Sequence, residues 1–307
     1  MSWRYPGPRQ AWELRLQRVG FVLLLAWRFP AIPRYSAQPI PAGVAQLVDV
    51  SWMGNAALAN WIYAAFALAL LGYLIDRAML AALTVLAALW IGAGALASSQ
   101  GSLAHDTQLV GLVLLAQWIA YARGAWASWR RGVPRRAAHE LAVDYTQQVV
   151  VATYLLAGLM KLVLSRGAWI AMAPNVATDI VKVHGQRAAD ALDASLIARG
   201  DRLAAFALTH TTAIRLMMGG AWLLELSSPV ALLGRIPAML YGGALIGMHR
   251  GIEYLMMIRF YENEALLLIY FVNLPYLLVW AARYCDRTRR RRNHHSDSAV
   301  ATGVPPA

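Results

Sequence analysis

Lys161 interrupts the apolar run Val149-Val-Val-Ala-Thr-Tyr-Leu-Leu-Ala-Gly-Leu-Met-Lys161-Leu-Val-Leu164, which has the length of a membrane-crossing helix. The sequence holds two lysines, Lys161 and Lys182, among 28 basic residues, so arginine is its default cation. An ionisable side chain in such a run is costly and calls for a partner and a purpose. A desolvated lysine, unlike arginine, can release its proton and act as a base. The structural alternative is a lysine near a helix end that snorkels to the headgroups.

Four further residues have types and positions suited to chemistry. Glu225 falls within the apolar stretch Met218-Gly-Gly-Ala-Trp-Leu-Leu-Glu225-Leu-Ser-Ser-Pro229, where a carboxylate must pair with a cation, meet water or stay protonated. Lys161, His249 or an arginine are its candidate partners, and Gly219 and Gly220 would admit a neighbouring helix closely. His249 and Glu253 are four apart and share a helix face, as an acid/base pair, two metal ligands or a polar clasp between helices. His105, just before an apolar run, suits proton transfer or an interfacial cap beside Asp106 and Thr107. His184 and His210 read as solvated, and Arg259, Glu262 and Glu264 as interfacial charges. The pair His139-Glu140 lacks the second histidine of a zinc-protease helix, since Val143 stands at that position.

These residues need a scaffold, and the composition indicates which kind. The chain is 59% hydrophobic and 14% charged over 307 residues, which predicts an all-α polytopic bundle in the lipid bilayer. Eight spans are expected: a short first helix at Val19–Trp27, then Asn55–Ile75, Ala78–Ala97, Thr107–Ala122, Gln147–Leu164, Ala213–Leu233, Ile236–Ile258 and Glu264–Ala282. Asp76-Arg77 forms a tight turn between the second and third. Arginines cluster before the first span, at Arg77, from Arg123 to Arg136, at Arg235 and from Arg283 to Arg292. In an eight-span arrangement all these clusters share one side, which places both termini in the cytoplasm. Residues 165–212 then form an extracytoplasmic loop. Lys161, His105, His249 and Glu253 gather toward the outer face. The membrane expected is the bacterial inner membrane.

A net charge of +12 lies mostly between and after the apolar runs, so anionic lipid, not nucleic acid, is the expected partner. Cys285 is the single cysteine, which excludes an internal disulfide and a cysteine-based metal cluster; no metal cofactor is expected. Dinucleotide loops, phosphate loops and a serine-hydrolase elbow are missing from the sequence. Residues 285–307 read as a basic, disordered cytoplasmic tail.

The stretch Tyr154-Leu-Leu-Ala-Gly-Leu-Met-Lys161-Leu, followed by Trp169, resembles the lysine-bearing segment of vitamin K-dependent gamma-glutamyl carboxylases. His105 is similar in placement to their functional histidine. The surroundings of Glu225 and His249 resemble their later spans. The broader grouping is the HTTM (horizontally transferred transmembrane) domain, and the resemblance spans residues 1–284. It implies a lipophilic quinol, reduced vitamin K or menaquinol, used with oxygen. Lys161 would serve as the base and His105 would assist, with Glu225, His249 and Glu253 in support. In the carboxylases the oxygenated quinone removes a carbon-bound proton and leaves as its epoxide, and the carbanion captures carbon dioxide. Met160 stands where the vertebrate carboxylases have a second lysine. Their large extramembrane region also has no counterpart after Arg292. Both departures turn the expectation away from peptide carboxylation and toward another peptide or small lipophilic substrate. A non-catalytic transporter, immunity protein or peptide-toxin maturation factor is the alternative.

Overall fold

The computed structural model describes residues 9–29, 43–99, 105–131, 135–274 and 276–281. Among the described residues the regular elements are all helical, ten α-helices with short 3-10 and π turns between them. α1 is Ala11–Arg28, α2 Ala56–Leu74, α3 Met79–Ser99, α4 His105–Arg131 and α5 Arg135–Leu164. α6 (Val176–Ala191), α7 (Ser195–Thr209), α8 (Thr211–Leu226), α9 (Arg235–Met256) and α10 (Tyr261–Leu267) follow.

Four helical segments are long and apolar enough to cross a membrane: Ala56–Leu74, Met79–Ser99, Thr107–Arg130 and Ala137–Leu164. Their apolar residues point both ways. Phe66, Leu83, Leu86, Trp90 and Leu114 fill the core, whereas Trp61, Leu68, Leu115 and Leu156 face outward. Outward leucine and tryptophan suit acyl chains, because such a surface gains nothing by contact with water. The Asn55 side chain caps α2 by accepting from the Ala57 N–H at 2.9 Å. Asp76 and Ala78 take left-handed backbone angles (φ 62° and 49°), which reverses the chain between α2 and α3 within a few residues.

Several expected spans have different bounds. α5 starts at Arg135, well before the predicted Gln147, because its early polar residues are satisfied by partners inside the bundle. Arg9 donates to Asp144 at 2.7 Å and to Gln147 at 2.9 Å, and the Gln147 amide donates to the Tyr270 carbonyl at 2.7 Å. The predicted sixth span is interrupted. α8 ends at Leu226, and Ser228–Leu233 continues as a 3-10 turn with Pro229 at its start. The eighth is interrupted as well: α10 passes into a π turn, Leu268–Val272, and Asn273 adopts a left-handed conformation (φ 52°). Residues 165–212 hold α6 and α7, which pack together over a small core of Ala173, Val176, Ala177, Ile180, Ala204, Ala207 and Ile214. The tail from Cys285 lies outside the described residues.

Buried charges tie the ends of the chain together. Glu13 of α1 is fully buried and accepts from Asn273 at 2.6 Å and from Arg235 of α9 at 3.2 Å. At the far end of α1, Arg28 pairs with the fully buried Glu262. Glu264, 4% exposed, pairs with Arg250. Glu262 and Glu264 are therefore interior ion-pair partners and not the interfacial charges the sequence suggests. Their arginines come from other helices, so local sequence gave no sign of them.

Helices α4 and α5 approach closely at Gly124, where an added Cβ would lie 2.4 Å from the Ala138 Cβ. Gly124→Val should therefore push α4 and α5 apart and lower stability by about 1–3 kcal/mol, read as thermal unfolding in detergent. Gly220→Ala, whose new methyl meets nothing within 4 Å, should leave the transition unchanged or slightly raised.

Candidate functional site: a lysine–carboxylate couple in the bundle

Lys161, 30% exposed near the end of α5, is held by a carboxylate. Its Nζ lies 2.5 Å from each Glu225 carboxylate oxygen, and the Glu225 side chain is only 7% exposed. The couple forms because two segments come unusually close. A Cβ at Gly158, one turn before Lys161, would stand 3.0 Å from Leu226 and 3.2 Å from the Glu225 Cβ. The Trp222 indole donates to the Gly158 carbonyl at 2.9 Å and fixes the register. Trp169, on the segment after α5, places its ring 5.4 Å from the Lys161 ammonium. Glu225 is thus the second-last residue of α8 and not mid-helix as the uninterrupted span implied, because Ser227-Ser-Pro229 ends the helix there.

Two turns back along α5, on the same face, Tyr154 is 95% shielded from solvent, and its hydroxyl lies 3.2 Å from His249 Nε2. His249 itself is 2% exposed and stacks on Phe260 with ring centroids 4.5 Å apart. Asn263 lies beside Tyr154. His249 Nδ1 and Asn263 Oδ1 are buried without a hydrogen-bond partner. Such atoms are costly to leave unpaired, so they mark a place where a polar ligand atom or water would be stabilised. Lys161 and His249 lie within electrostatic reach of one another.

Lys161 and Glu225 therefore come together, and His249 meets Tyr154 two turns back along α5. Glu253 does not join them. It pairs with Arg250 at 2.9 Å and with Arg259 at 3.4 Å. His105 begins α4, and its side chain lies outside the described residues. His184, expected to be solvated, is fully buried, with Nδ1 2.9 Å from the Ile180 carbonyl, because α7 packs over it at Gly200. His210 is exposed and stacks on Phe206. Gly219 meets Ile170 from the segment after α5 and not another helix.

Tyr154 and Asn263 were missed. Tyr154 stands seven residues before Lys161, which puts both on one helical face, and that spacing was available in the sequence. Asn263 carried no local signal. Also missed was a cluster at the opposite end of α5, where His139 meets Arg18, Asp76 and Tyr121.

An amine–carboxylate couple and the open His249 and Asn263 atoms suit a ring bearing two oxygens. Trp169 offers a flat apolar surface beside Lys161, and Met160, Val163 and Leu164 present exposed apolar side chains to acyl tails. Comparison with protein-family profiles, with curated proteins and with solved structures gives no match for this chain.

With only two lysines, amine acylation followed by peptide mass spectrometry reads the couple directly. Lys182 is exposed and serves as the internal reference. Lys161 should react more slowly than Lys182, and Glu225→Gln or Gly158→Leu should speed Lys161 alone by about tenfold, corresponding to about 1.4 kcal/mol of lost pairing. Equal reactivity of Lys161 in the native protein and in both variants would contradict the couple.

Proposed function

We propose that this chain is an HTTM-type integral membrane protein that handles a reduced quinone at the Lys161–Glu225 couple and uses oxygen to modify a peptide or small lipophilic substrate. The observation that carries the reading is the lysine itself, held by a carboxylate inside an apolar bundle beside the open polar atoms of His249 and Asn263. The proposed setting is the bacterial inner membrane, with eight spans, both termini cytoplasmic and the couple toward the outer face. The interrupted segments 211–233 and 261–281 count as the sixth and eighth spans. The Arg-rich turns supply the orientation.

A bound quinol would supply the reducing electrons for the oxygen chemistry. The chain's own residues would do the rest. Lys161 and Glu225 share one proton across a direct hydrogen bond, and a hydroxyl proton taken up by the couple would leave it with one positive charge, balanced by the anion formed on the bound ring. Tyr154 and His249 sit where they would orient the ring oxygens, and His105 is the proposed assisting group from the start of α4. The Trp169 ring, 5.4 Å from Nζ, stabilises the ammonium form through its π face. Carbon dioxide enters only if the substrate is carboxylated.

A second reading has its own support. Helices interrupted at 227–234 and at 268–273 within an apolar bundle are the construction that transporters use around a polar substrate. In that reading the Lys161–Glu225 couple carries or gates a proton and performs no oxidation.

Purified protein supplied with reduced menaquinone and oxygen should form quinone epoxide. Lys161→Arg should keep the ion pair and the thermal transition yet form none, since guanidinium cannot serve as the base. Lys161→Ala should also lose activity and cost about 3 kcal/mol of stability, because Glu225 is left buried without its cation. Full epoxide formation by Lys161→Arg would sink the base role, and proton flux in proteoliposomes without epoxide would favour the transporter.

A further inference from the structure

The turn between α2 and α3 and the facing ends of α4 and α5 line an open cavity of about 470 Å³, at the other end of α5 from Lys161. Ala78, Met79, Leu80 and Ala81 form one wall, and Gly124, Ala125 and Trp129 another. Asp76, His139 and Tyr121 close one side. These three side chains are already ordered. The His139 Nε2 lies 3.0 Å from Asp76 Oδ2, and His139 Nδ1 lies 2.6 Å from the Tyr121 hydroxyl and 3.0 Å from Arg18 Nη2. Arg18 is also 3.6 Å from Asp76 Oδ1. The polar wall is therefore preorganised by residues from α1, the α2–α3 turn, α4 and α5.

We propose that this cavity is a second ligand site, for a flat lipophilic molecule bearing a phenolic hydroxyl. Asp76 decides the chemistry of the head. A carboxylate has about four accepting positions, and with its side chain 37% exposed Asp76 keeps capacity to accept from the cavity side. The ligand atom opposite it must donate. An ammonium ligand is disfavoured, because Arg18 already balances Asp76 and Arg130 lies over Trp129 and Trp126 at 5.5 and 4.7 Å. A phosphate is disfavoured as well, since the Arg18 guanidinium is turned toward His139 and Asp76 and a carboxylate lines the cavity. A neutral hydroxyl donor meets both limits. The alanine, methionine, leucine and tryptophan walls suit a flat ring system, and the volume lies in the range of small-molecule sites. Because none of these residues touches Lys161 or Glu225, the site does not depend on the reading of the couple.

The test uses 2-naphthol as the phenolic probe and 2-methoxynaphthalene as its match without a donor, with the full chain in detergent and equilibrium dialysis to isolate saturable binding. Wild type should bind 2-naphthol saturably, and the ether at least about tenfold more weakly, for the loss of one hydrogen bond to a charged group. Asp76→Asn, which keeps a residue tolerant of the left-handed turn, should weaken 2-naphthol by a similar factor. Ala125→Trp fills the cavity from an exposed wall position and should abolish binding without shifting thermal unfolding. Equal binding of the ether, retention of binding by Ala125→Trp or displacement by phosphatidylglycerol would each overturn the proposal.

Discussion

Glu13, Glu225, Glu262 and Glu264 are all buried in an apolar bundle, and each is met by a lysine or arginine from another element. A carboxylate left alone in such surroundings is far costlier than one in water, so each acid dictates where a second segment must lie. Two of the four pairs join α1 to the last third of the chain: Glu13 with Arg235 and Arg28 with Glu262. They fix both ends of the first helix against α9 and α10, and the hydrophobic packing fills in between. In a medium where apolar contact with lipid costs little, such polar contacts contribute much of the specificity of helix association.

The same constraint separates the polar residues into two centres. α5, about 45 Å long at 1.5 Å per residue, carries His139, Asp144 and Gln147 near its start and Tyr154 and Lys161 near its end. Between them lie Val149, Val150 and Val151, an apolar layer without side-chain hydrogen-bonding groups. The centre near Lys161 is built from α5, α8, α9 and α10. The one near His139 uses α1, the α2–α3 turn, α4 and α5. Each has a polar wall ordered before any ligand arrives, and that preorganisation lowers the cost of binding.

How much of this was legible in the sequence follows from which interactions are local. Asp76-Arg77 announced its turn, and the runs that became α2 and α3 were placed to within a residue or two, because length and hydropathy act within one segment. Lys161 and Glu225 stood out because each is a charge in an apolar run, and pairing them needed only the rule that such a charge seeks its opposite. His184 and Glu262 were misplaced for the complementary reason. Their burial depends on α7 and on Arg28, which the local sequence does not bring near. Tyr154 was hidden because a tyrosine in a membrane helix is unremarkable until the histidine on another helix is known. The interruption after Glu225 had a marker in Pro229, whereas the π turn at Leu268–Val272 had none, its sequence being uniformly apolar.

That π turn has a consequence for tolerated change along the chain. A π turn holds one residue more than the α-helical turn it replaces, and here the carbonyls of Ile269 and Tyr270 are taken up by Gln17 and Gln147. Removing a single residue from 268–272 would let an ordinary helix close and would rotate everything after it by about 100°. Asn273 would swing off Glu13, and Tyr276 would leave the Arg235 guanidinium that it now faces at 4.6 Å. The reading frame of the side chains that follow Val272 is thus set by one surplus residue, so insertions and deletions in this stretch should be far less tolerated than substitutions among its apolar side chains.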